Sequence, residues 1–477
     1  MSNVNLHDVN HWRSRIVGLD EMLPLLDGRL APYINLDNAA STPPLREVVD
    51  AVHHFLPYYS SVHRGTGFKS RLSTMAYDEA HDTISRFVGA DPRTSTVIFG
   101  KNTTEALNKL ARRYPLPKGS VVLSTVMEHH SNDLPWRPRA EVVRAKVTRE
   151  GRLDEADVDR LIAEYGERIA LMTVSGASNV TGFVQPVHRL ARKAHAVGAR
   201  IVVDAAQLAA HRPIDVKPAD SPEHLDYVVL SAHKMYAPFG TGALIGCRET
   251  FEHGAPEHSG GGTVDIVTPN AVSWAALPDR EEAGSPNVVG AVAMAVAARA
   301  LMDAGIESVV QHEQALSAYA FEQLRSVPGV TLYGGDAAGT DNDRVGVIAF
   351  NVGALPHALV AAILGYEGGI GVRSGCFCAQ QYVSLLLGIE SSERAGWHRG
   401  HVGADRFARP GMVRVSLGLY NTCDDIDALV VMLQRIAAGD YRAQYDRVAG
   451  TGDYTPAGYE DKIRTYFSTM LEMTPPY

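Results

Sequence analysis

Short apolar runs, each ending abruptly in polar residues, recur through the first half of the chain. Their β-branched, aromatic and aliphatic residues are typical of buried strands. Stretches with helical spacing separate these runs, and the alternation predicts a mostly parallel sheet covered by helices on both faces. Because parallel strands present their carboxyl ends at one edge, we expect the polar residues after the runs to meet in one site. The runs lie at 97–99, 121–123, 169–174, 201–203 and 227–230.

Two of these runs end in residues that suit one cofactor. Ser231, His233 and Lys234 follow the run at 227–230, and a lysine at such a strand end can lose its proton and attack a carbonyl. Alone, Lys234 would be an ordinary surface lysine. Asp204, however, ends the preceding run, where a carboxylate can pair with the pyridinium nitrogen of pyridoxal phosphate while a lysine binds the aldehyde. The pair predicts a pyridoxal phosphate site, and a helix-capping role for Asp204 is compatible with it.

Other strand ends carry further candidates for the same site. Thr103 and Thr104 stand where a helix begins, which suits either a phosphate site or simple capping. His129 belongs to an adjacent pair of histidines, which do not share a helical face, so a ring stacked on the cofactor is favoured over a metal site. Asn179 is placed to bond a cofactor hydroxyl. His63 lies in a glycine-rich loop and is either functional or only solvated.

The second half of the chain predicts a smaller domain entered through two long helices at 288–304 and 307–326. Strands are expected at 344–351 and from Met412, and helices at 356–364 and 423–437. Residues 380–411 form a long polar insertion, predicted to be a mobile lid because structureless loops of this length are usually functional or disordered. The expected division has four parts: 1–30 packing with the small domain, 31–305 as the large domain, 306–440 as the small domain, and 441–477 as an extension.

Composition excludes several classes of protein. The 477-residue chain has a formal net charge of −9, which disfavours nucleic-acid binding. Arg299 and Asp303 interrupt the apolar segment 290–304, so it is predicted to be a packed helix and not a membrane span. The first residues contain no apolar signal core. There are 4 cysteines, and the spacing of Cys376 and Cys378 suits neither a disulfide framework nor a zinc site. A cytoplasmic protein without a bound metal is therefore expected.

A series of motifs appears in order from residue 33 to residue 437. Together they resemble the class V aminotransferase-fold cysteine desulfurases and selenocysteine lyases of the SufS-like group. The motifs are Ser61-Val-His-Arg-Gly, Thr103-Thr-Glu, Met127-Glu-His-His-Ser-Asn, Ser178-Asn-Val-x-Gly, Val203-Asp-x-Ala-Gln, Ser231-x-His-Lys, Gly-Gly-Gly-Thr263, Glu282-Ala-Gly-Ser-Pro-Asn, Val372-Arg-Ser-Gly-x-x-Cys378-Ala and Ser416-Leu-x-x-Tyr-Asn-Thr422.

The resemblance implies an α/β chain of the pyridoxal phosphate-dependent transferase fold type I, with a mostly parallel seven-stranded sheet and a smaller α/β C-terminal domain. The implied reaction removes sulfur or selenium from L-cysteine or L-selenocysteine and leaves L-alanine, through a cysteine persulfide. A homodimer and a sulfur-acceptor protein are also implied. Another class V enzyme, such as a C–S lyase, an epimerase or an aminotransferase, is the alternative. A scaffold protein without turnover is disfavoured because Asp204 and Lys234 are both present.

The resemblance also implies a role for each matching residue. Lys234 would bind the cofactor covalently, Asp204 would pair with the pyridine nitrogen, and Cys378 would take the sulfur. Around the cofactor ring, the resemblance implies stacking by His129 and contacts by Thr103, Asn179 and Gln207, the last at O3′. The phosphate would be bound by Thr104, Ser231 and His233, with a contact from Ser285 across a dimer. The substrate would be bound by Arg414, Arg373, His63 and Asn38.

The sequence departs from the family pattern around the reactive cysteine. Cys376 and Phe377 stand where the family often has two histidines. The resulting sequence Gly-Cys-Phe-Cys also resembles the sulfurase domain of molybdenum-cofactor sulfurases. In an extended segment, residues two apart share a face, so both thiols are expected to face the cofactor with Phe377 turned away. Spacing leaves the choice between the thiols open, whereas the family pattern, with its cysteine directly before Ala379, favours Cys378. The sulfur acceptor stays open as well.

Overall fold

The computed structural model describes residues 9–335, 343–389, 410–449, 451–459, 463 and 467–469. It is an α/β structure with a seven-stranded sheet, which confirms the predicted fold class. An N-terminal segment comes first, with helix α1 (Val9–Arg15) and strands β1 (Met22–Pro24), β2 (Leu30–Pro32) and β3 (Ile34–Asn35). The strands of the large sheet follow as β4 (Ser95–Gly100), β5 (Val121–Thr125), β6 (Glu141–Ala145), β7 (Ile169–Ser175), β8 (Arg200–Asp204), β9 (Tyr227–Ser231) and β10 (Gly242–Cys247).

The large sheet is parallel except at one strand. Its spatial order is β4-β10-β9-β8-β7-β5-β6, and β10 runs antiparallel to both of its neighbours. Strands β5 to β9 pair in parallel, so their carboxyl ends lie at one edge. Four of the five runs singled out in the sequence are strands of this parallel set, and the fifth is β4.

Both faces of this sheet are apolar, which explains why its strands are continuous hydrophobic runs. Along β5, Val121 and Leu123 pack on one side and Val122 on the other, as the two-residue period of a strand requires. Helices cover both sides and are α2 (Arg46–Phe55), α3 (Phe68–Phe87), α4 (Thr103–Arg113), α5 (His130–Asp133), α6 (Glu155–Tyr165), α7 (Val187–His195), α8 (Arg248–Glu252) and α9 (Val288–Asp303).

A second, antiparallel sheet lies C-terminal to α9. Its order is β13-β14-β17-β16, and the two strands next to the site, β16 and β17, pair Arg373 with Arg414. Three long helices bury a separate core of aliphatic residues against it. These elements are α10 (Ile306–Ser326), β13 (Val330–Tyr333), β14 (Val347–Val352), α11 (His357–Gly368), β15 (Ile370–Gly371), β16 (Arg373–Gly375), α12 (Gln380–Leu386), β17 (Met412–Ser416) and α13 (Cys423–Ala437).

The N-terminal segment contacts both parts of the molecule. Trp12 and Ile16 are buried in the large core, while the backbone N–H of Leu26 donates to the carbonyl of Tyr366 on α11. Strand β15 pairs in parallel with β3, which ties this segment to the second sheet. Three further pairs of short strands lie among the described residues: β1 with β2, β11 (Val264–Thr268) with β12 (Ala271–Trp274), and β18 (Tyr445–Arg447) with β19 (Tyr454–Pro456). The four-part domain division stays a prediction.

The predicted lid at 380–411 needs one correction. Its beginning is not structureless, because α12 occupies Gln380–Leu386 and buries Tyr382, Val383 and Ser384. Residues 390–409 lie outside the described residues, so the lid itself stays a prediction. Among the described helices, none is by itself long and apolar enough to cross a membrane. Helices α9 and α10 reach that length and composition only when taken together, and they are bent by 80° where they meet.

Candidate active site

A cavity of 380 Å³ lies at the carboxyl edge of the parallel strands, against β16 and β17 of the second sheet. All but three of the predicted site residues line it, although they come from segments far apart in the chain. Those that line it are Thr103, Thr104, His129, Asn179, Asp204, Gln207, Ser231, His233, Lys234, Arg373, Cys378 and Arg414.

Lys234 lies in a short 3-10 turn directly after β9. Every residue of β9 is buried, so the strand carries the lysine into the interior and then stops. The pKa of the Lys234 amine is lowered to about 8, because burial outweighs the opposing effect of the Asp204 carboxylate and the nearby Arg414 guanidinium acts in the same direction as burial. The neutral, nucleophilic form of this amine is therefore far more populated near neutral pH than that of an ordinary lysine.

The parallel register places Asp204 beside Lys234. Asp204 pairs with Ser175 on β7 and with Val229 on β9, and Lys234 follows five residues after Val229. The Asp204 carboxylate accepts a hydrogen bond from the Ala206 backbone N–H at 3.0 Å, and burial raises the pKa of this carboxyl. A buried carboxylate with spare acceptor capacity is suited to a cationic ring nitrogen.

His129 forms another wall of the cavity at the start of α5. Its Nδ1 accepts from the Ser131 backbone N–H at 3.1 Å, which places the proton of the neutral ring on Nε2. Burial, reinforced by Lys234, lowers the His129 pKa to about 3, so the ring is a flat, uncharged surface. The buried Glu128 carboxylate, one residue earlier in the chain, accepts from Ser175 Oγ at 2.7 Å, and burial raises the Glu128 pKa to about 7.

Hydroxyl groups cluster at the N-terminus of α4. Asn102 caps the helix by accepting from the Glu105 N–H at 3.1 Å. The Thr103 N–H donates to Ser231 Oγ at 2.9 Å, and Thr104 Oγ1 lies 2.7 Å from Ser131 Oγ. A helix N-terminus with converging hydroxyls is an anion-binding arrangement, as the phosphate prediction requires.

Cys378 lies in a tight turn between β16 and α12. The Ala379 N–H donates to the Cys376 carbonyl at 2.8 Å, which closes the turn. Both central residues adopt left-handed backbone conformations, Phe377 with φ 53° and Cys378 with φ 55°. Such conformations cost about 1–2 kcal/mol per non-glycine residue, so surrounding contacts must hold the turn.

Two hydrogen bonds from Asn179 and His130 supply those contacts. Asn179 Nδ2 donates to the Phe377 carbonyl at 2.7 Å, and the His130 N–H donates to the Cys378 carbonyl at 2.7 Å. Cys378 is exposed and lines the cavity. Asn179, predicted as a cofactor neighbour, thus also holds the cysteine turn.

The expected arrangement of the two thiols is wrong. The alternation rule applies to extended strands, and the turn at Phe377 and Cys378 breaks it. Phe377 lines the cavity, with its ring 5.0 Å from the Arg414 guanidinium carbon, whereas Cys376 is absent from the cavity wall and packs among apolar residues around Tyr382.

Arg414 and Arg373 form a cationic end of the cavity. Arg414 Nη1 donates to the Asn179 carbonyl at 3.0 Å, and Arg414 Nη2 lies 3.1 Å from Asp37 Oδ1. Burial lowers the Arg414 pKa to about 10, against the opposing effect of Asp37, so the guanidinium stays charged. Arg414 Nε is buried without a hydrogen-bond partner among the described residues. An unsatisfied buried donor of this kind suits an incoming carboxylate.

Three predicted residues do not reach this cavity. Ser285 is exposed and lines a different cavity of 460 Å³ with Tyr77 and Glu282. The His63 ring packs edge-on against Tyr77, at 5.8 Å between centroids. Asn38 is 2% exposed and is used in structural hydrogen bonds, accepting from the Tyr420 hydroxyl and donating to the Ser416 carbonyl.

Sequence reasoning also missed residues that belong to the site. Ser175 ends β7 as Asp204 ends β8, so the strand-end rule could have found it. Ser131 lines the cavity next to Thr104, but that contact joins two separate segments and leaves no local signal. Asp37 follows the short strand β3 and contacts Arg414, but no sequence signal separated it from the other residues of its turn.

The cavity fits pyridoxal phosphate. Gln207 Oε1 is buried without a hydrogen-bond partner among the described residues, so the cavity contains an acceptor that a cofactor hydroxyl would satisfy. Lys234 would hold the aldehyde, Asp204 the ring nitrogen, and Thr103, Thr104 and Ser231 the phosphate end. Among the described residues, no group of three or more His, Cys, Asp and Glu side chains could hold a metal ion.

Comparisons with known proteins agree with this geometry. A cysteine desulfurase of Haloferax volcanii is 34% identical over 413 residues, which cover 85% of this chain and 89% of that protein. A cysteine desulfurase of Yersinia pseudotuberculosis is 33% identical over 425 residues, covering 87% and 96% of the two chains. Both relatives therefore align along nearly their whole length.

Solved structures give the same picture. The apo structure of a cysteine desulfurase from Thermococcus onnurineus superposes with a TM-score of 0.76 and 29% identity, covering 92% of this chain and 99% of that one. A cysteine desulfurase from Escherichia coli gives a TM-score of 0.73 and 28% identity, covering 92% and 100%.

The family model agrees with both comparisons. The model for Aminotransferase class-V matches residues 34–429, a stretch that contains every residue of the cavity wall. This family is pyridoxal phosphate-dependent, as the cavity requires. The chain therefore belongs to the class V aminotransferase family.

Proposed function

We propose that this protein is a pyridoxal phosphate-dependent cysteine desulfurase that takes sulfur from L-cysteine onto Cys378. One observation carries the proposal: Lys234, paired with Asp204, and the exposed thiol of Cys378 line the same 380 Å³ cavity. An amine for the cofactor and a thiol for the sulfur are the two reactive groups that desulfuration needs. The relatives and neighbours that share this architecture are named cysteine desulfurases.

The cationic end of the cavity orients the amino acid. Arg414 presents a buried Nε–H donor, without a partner among the described residues, that suits the substrate carboxylate. This contact directs the substrate amine toward Lys234 and its side chain toward Cys378. When bound, pyridoxal phosphate withdraws electrons from the substrate Cα through its protonated ring.

Lys234 moves the proton at the substrate Cα. With the substrate bound to the cofactor, the Lys234 amine would be free to act as a base. The lowered pKa of about 8 suits this role, because it lies much closer to neutral pH than that of an ordinary lysine. His129 stays neutral beside it and adds no competing charge.

Cys378 accepts the sulfur. Its thiolate forms a bond to the substrate sulfur, the substrate Cβ–S bond breaks, and the bonding electron pair stays with the carbon skeleton. That skeleton then gains a proton at Cβ and leaves as L-alanine, while Cys378 carries a persulfide. Arg414 lies beside this turn, with its guanidinium carbon 5.0 Å from the Phe377 ring.

Further features of the protein belong to the same proposal. L-selenocysteine is a second substrate, since selenium occupies the position of sulfur, and a separate protein accepts the persulfide sulfur.

A homodimer is proposed because Ser285 is exposed and lies away from the cavity of its own chain. A monomer in light scattering of the active holoprotein would contradict the dimer. Cytoplasmic location is proposed from the 4 cysteines, none of which forms a disulfide.

The products of the reaction test the proposal directly. Purified holoprotein is incubated with L-cysteine and a thiol reductant, and sulfide, alanine and pyruvate are measured. Equal amounts of sulfide and alanine are expected, with parallel incubations on L-selenocysteine and other amino acids defining the substrate range. Pyruvate in place of alanine would identify a C–S lyase that eliminates sulfur directly. No sulfide from any cysteine derivative would refute a desulfurase.

A further inference from the structure

Cys378 presents its thiol in a direction that two peptide units determine. A peptide unit is rigid and planar, so the units on either side of Cys378 together fix the orientation of its Cα–Cβ bond. The unit before it is held at the Phe377 carbonyl, which accepts from Asn179 Nδ2 at 2.7 Å. The unit after it is held at the Cys378 carbonyl, which accepts from the His130 backbone N–H at 2.7 Å. His130 therefore holds one of the two planes that aim the thiol.

The His130 side chain holds the same turn a second time. Its Nε2 accepts from the backbone N–H of Gln380, the first residue of α12, at 3.4 Å. This nitrogen accepts only while it carries no proton. Burial, reinforced by Arg137 against the opposing effect of Asp133, lowers the His130 pKa, so the ring is neutral at neutral pH. One residue thus binds the chain on both sides of Ala379.

His130 lies behind the cavity and not in its wall. Its neighbours His129 and Ser131 line the cavity, whereas the His130 ring is turned to the cysteine turn. That turn needs support, because Phe377 and Cys378 have φ of 53° and 55°, which residues other than glycine rarely adopt. When a contact is lost, the turn is expected to populate other conformations and the thiol to point elsewhere.

We infer that His130 is a positioning residue that fixes the direction in which Cys378 presents its thiol to the substrate. The inference rests on the proposed function, in which Cys378 accepts the substrate sulfur. That step requires the thiolate, the substrate sulfur and the breaking C–S bond to be aligned, and a misplacement of about 1 Å can slow a reaction by about 10²-fold. Lys234 and Arg414 lie on other segments, so loss of the His130 contacts should slow transfer without weakening amino-acid binding.

Three substitutions separate the backbone bond from the side chain. His130→Ala keeps the N–H and removes the ring, whereas His130→Pro removes both. Proline fits this position, because His130 is the first residue of α5 and His129 has the extended conformation that precedes proline, with φ −58° and ψ 146°. His130→Gln keeps the N–H and supplies another acceptor for Gln380, so it is the conservative variant.

Hydrogen exchange of the apoprotein tests the positioning without turnover. Mass spectrometry follows a peptide covering residues 376–382, since the amides of Ala379 and Gln380 both donate within the turn. Exchange should become faster by about fivefold for each hydrogen bond lost, so His130→Pro should exceed His130→Ala, and His130→Gln should stay near the parent. General destabilisation would also speed exchange in the buried strand β9, which should keep the parental rate.

Sulfide release by the holoprotein then measures the effect on function. We expect kcat to fall by about 10–10²-fold in His130→Pro and by less in His130→Ala, and His130→Gln to restore most of it. The dissociation constant of L-alanine, read from the visible absorbance of the bound cofactor, should stay within twofold of the parent in all three. A damaged site would weaken alanine binding as well. His53→Ala, on the exposed surface of α2, is the control and should match the parent throughout.

Two results would overturn the inference. They are parental exchange of the turn peptide in His130→Pro, and a parental kcat in that variant despite faster exchange. If His130→Pro does not fold, the comparison of His130→Ala with His130→Gln decides in the same way. If the parent itself releases no sulfide, the proposed function fails, and exchange alone then decides whether His130 holds the turn.

Discussion

The lysine side and the cysteine side of the cavity are built in different ways. Asp204 ends β8 and Lys234 follows β9, two neighbouring parallel strands in which every residue except Arg200 is buried, and the sheet register brings them together. Cys378 lies in a turn with two left-handed residues, held by Asn179 from 198 positions earlier in the chain. A rigid sheet thus positions the cofactor, whereas the sulfur-accepting thiol depends on long-range contacts that constrain a strained turn.

The largest expected effect comes from the lysine side. Lys234→Ala removes both the covalent anchor and the base, so sulfide release should fall by at least about 10³-fold. The protein should also lose the absorbance band of covalently bound cofactor. Lys118→Ala, on the exposed surface, is the matched control and should match the parent in both measurements. Retained activity in Lys234→Ala would show that the strand-end lysine is not the anchor.

Cys378→Ser is expected to separate the two sides. The lysine side is intact, so the cofactor should bind and its spectrum should still respond to L-cysteine. Sulfide release should fall by about 10²–10³-fold, because the hydroxyl cannot accept sulfur. Initial rates of sulfide release measure the effect. Desulfuration at the parental rate would mean that sulfur leaves without a protein thiol, and the cysteine side would then have no chemical role.

The pH dependence of cofactor capture sharpens the account of the lysine side. Only the neutral amine attacks the aldehyde, and burial lowers the Lys234 pKa to about 8. Below that pH the amine is protonated, so the capture rate of apoprotein should fall by about tenfold for each pH unit and should level off above it. The growth of the visible band after mixing with pyridoxal phosphate measures this rate. A rate still rising steeply beyond pH 10 would show an amine with an ordinary pKa.

The smallest effect is expected for Cys376→Ser. Cys376 is absent from the cavity wall and packs near Tyr382, so the substitution should change sulfide release by no more than about threefold and cost about 1 kcal/mol of stability. Sulfide rates and thermal unfolding check both expectations. A loss as large as that of Cys378→Ser, with the fold intact, would mean that both thiols take part.

The sequence predicted the lysine side well because its signals are local. Buried parallel strands are continuous apolar runs, and the polar residues after them mark the shared edge, which is how Asp204 and Lys234 were found. Helix α13 was predicted at 423–437 and occupies Cys423–Ala437, where a capping box at Thr422 fixes its start.

The cysteine side was predicted less well because its geometry is not local. A turn with positive φ at Phe377 has no sequence signal when glycine and asparagine are absent, so an extended segment was assumed. The contact of Asp37 with the two arginines and the burial of Asn38 under Tyr420 join segments more than 300 residues apart, as the separations of 377 and 382 show. Only the folded chain reveals them.

Locating the transferred sulfur tests the central claim most directly. Holoprotein is incubated with L-cysteine without reductant, its thiols are alkylated, and peptide fragment spectra separate Cys376 from Cys378. The account predicts one extra sulfur atom on Cys378 and one alanine released for each persulfide formed. An extra sulfur on Cys376, or pyruvate released while Cys378 remains unmodified, would contradict it.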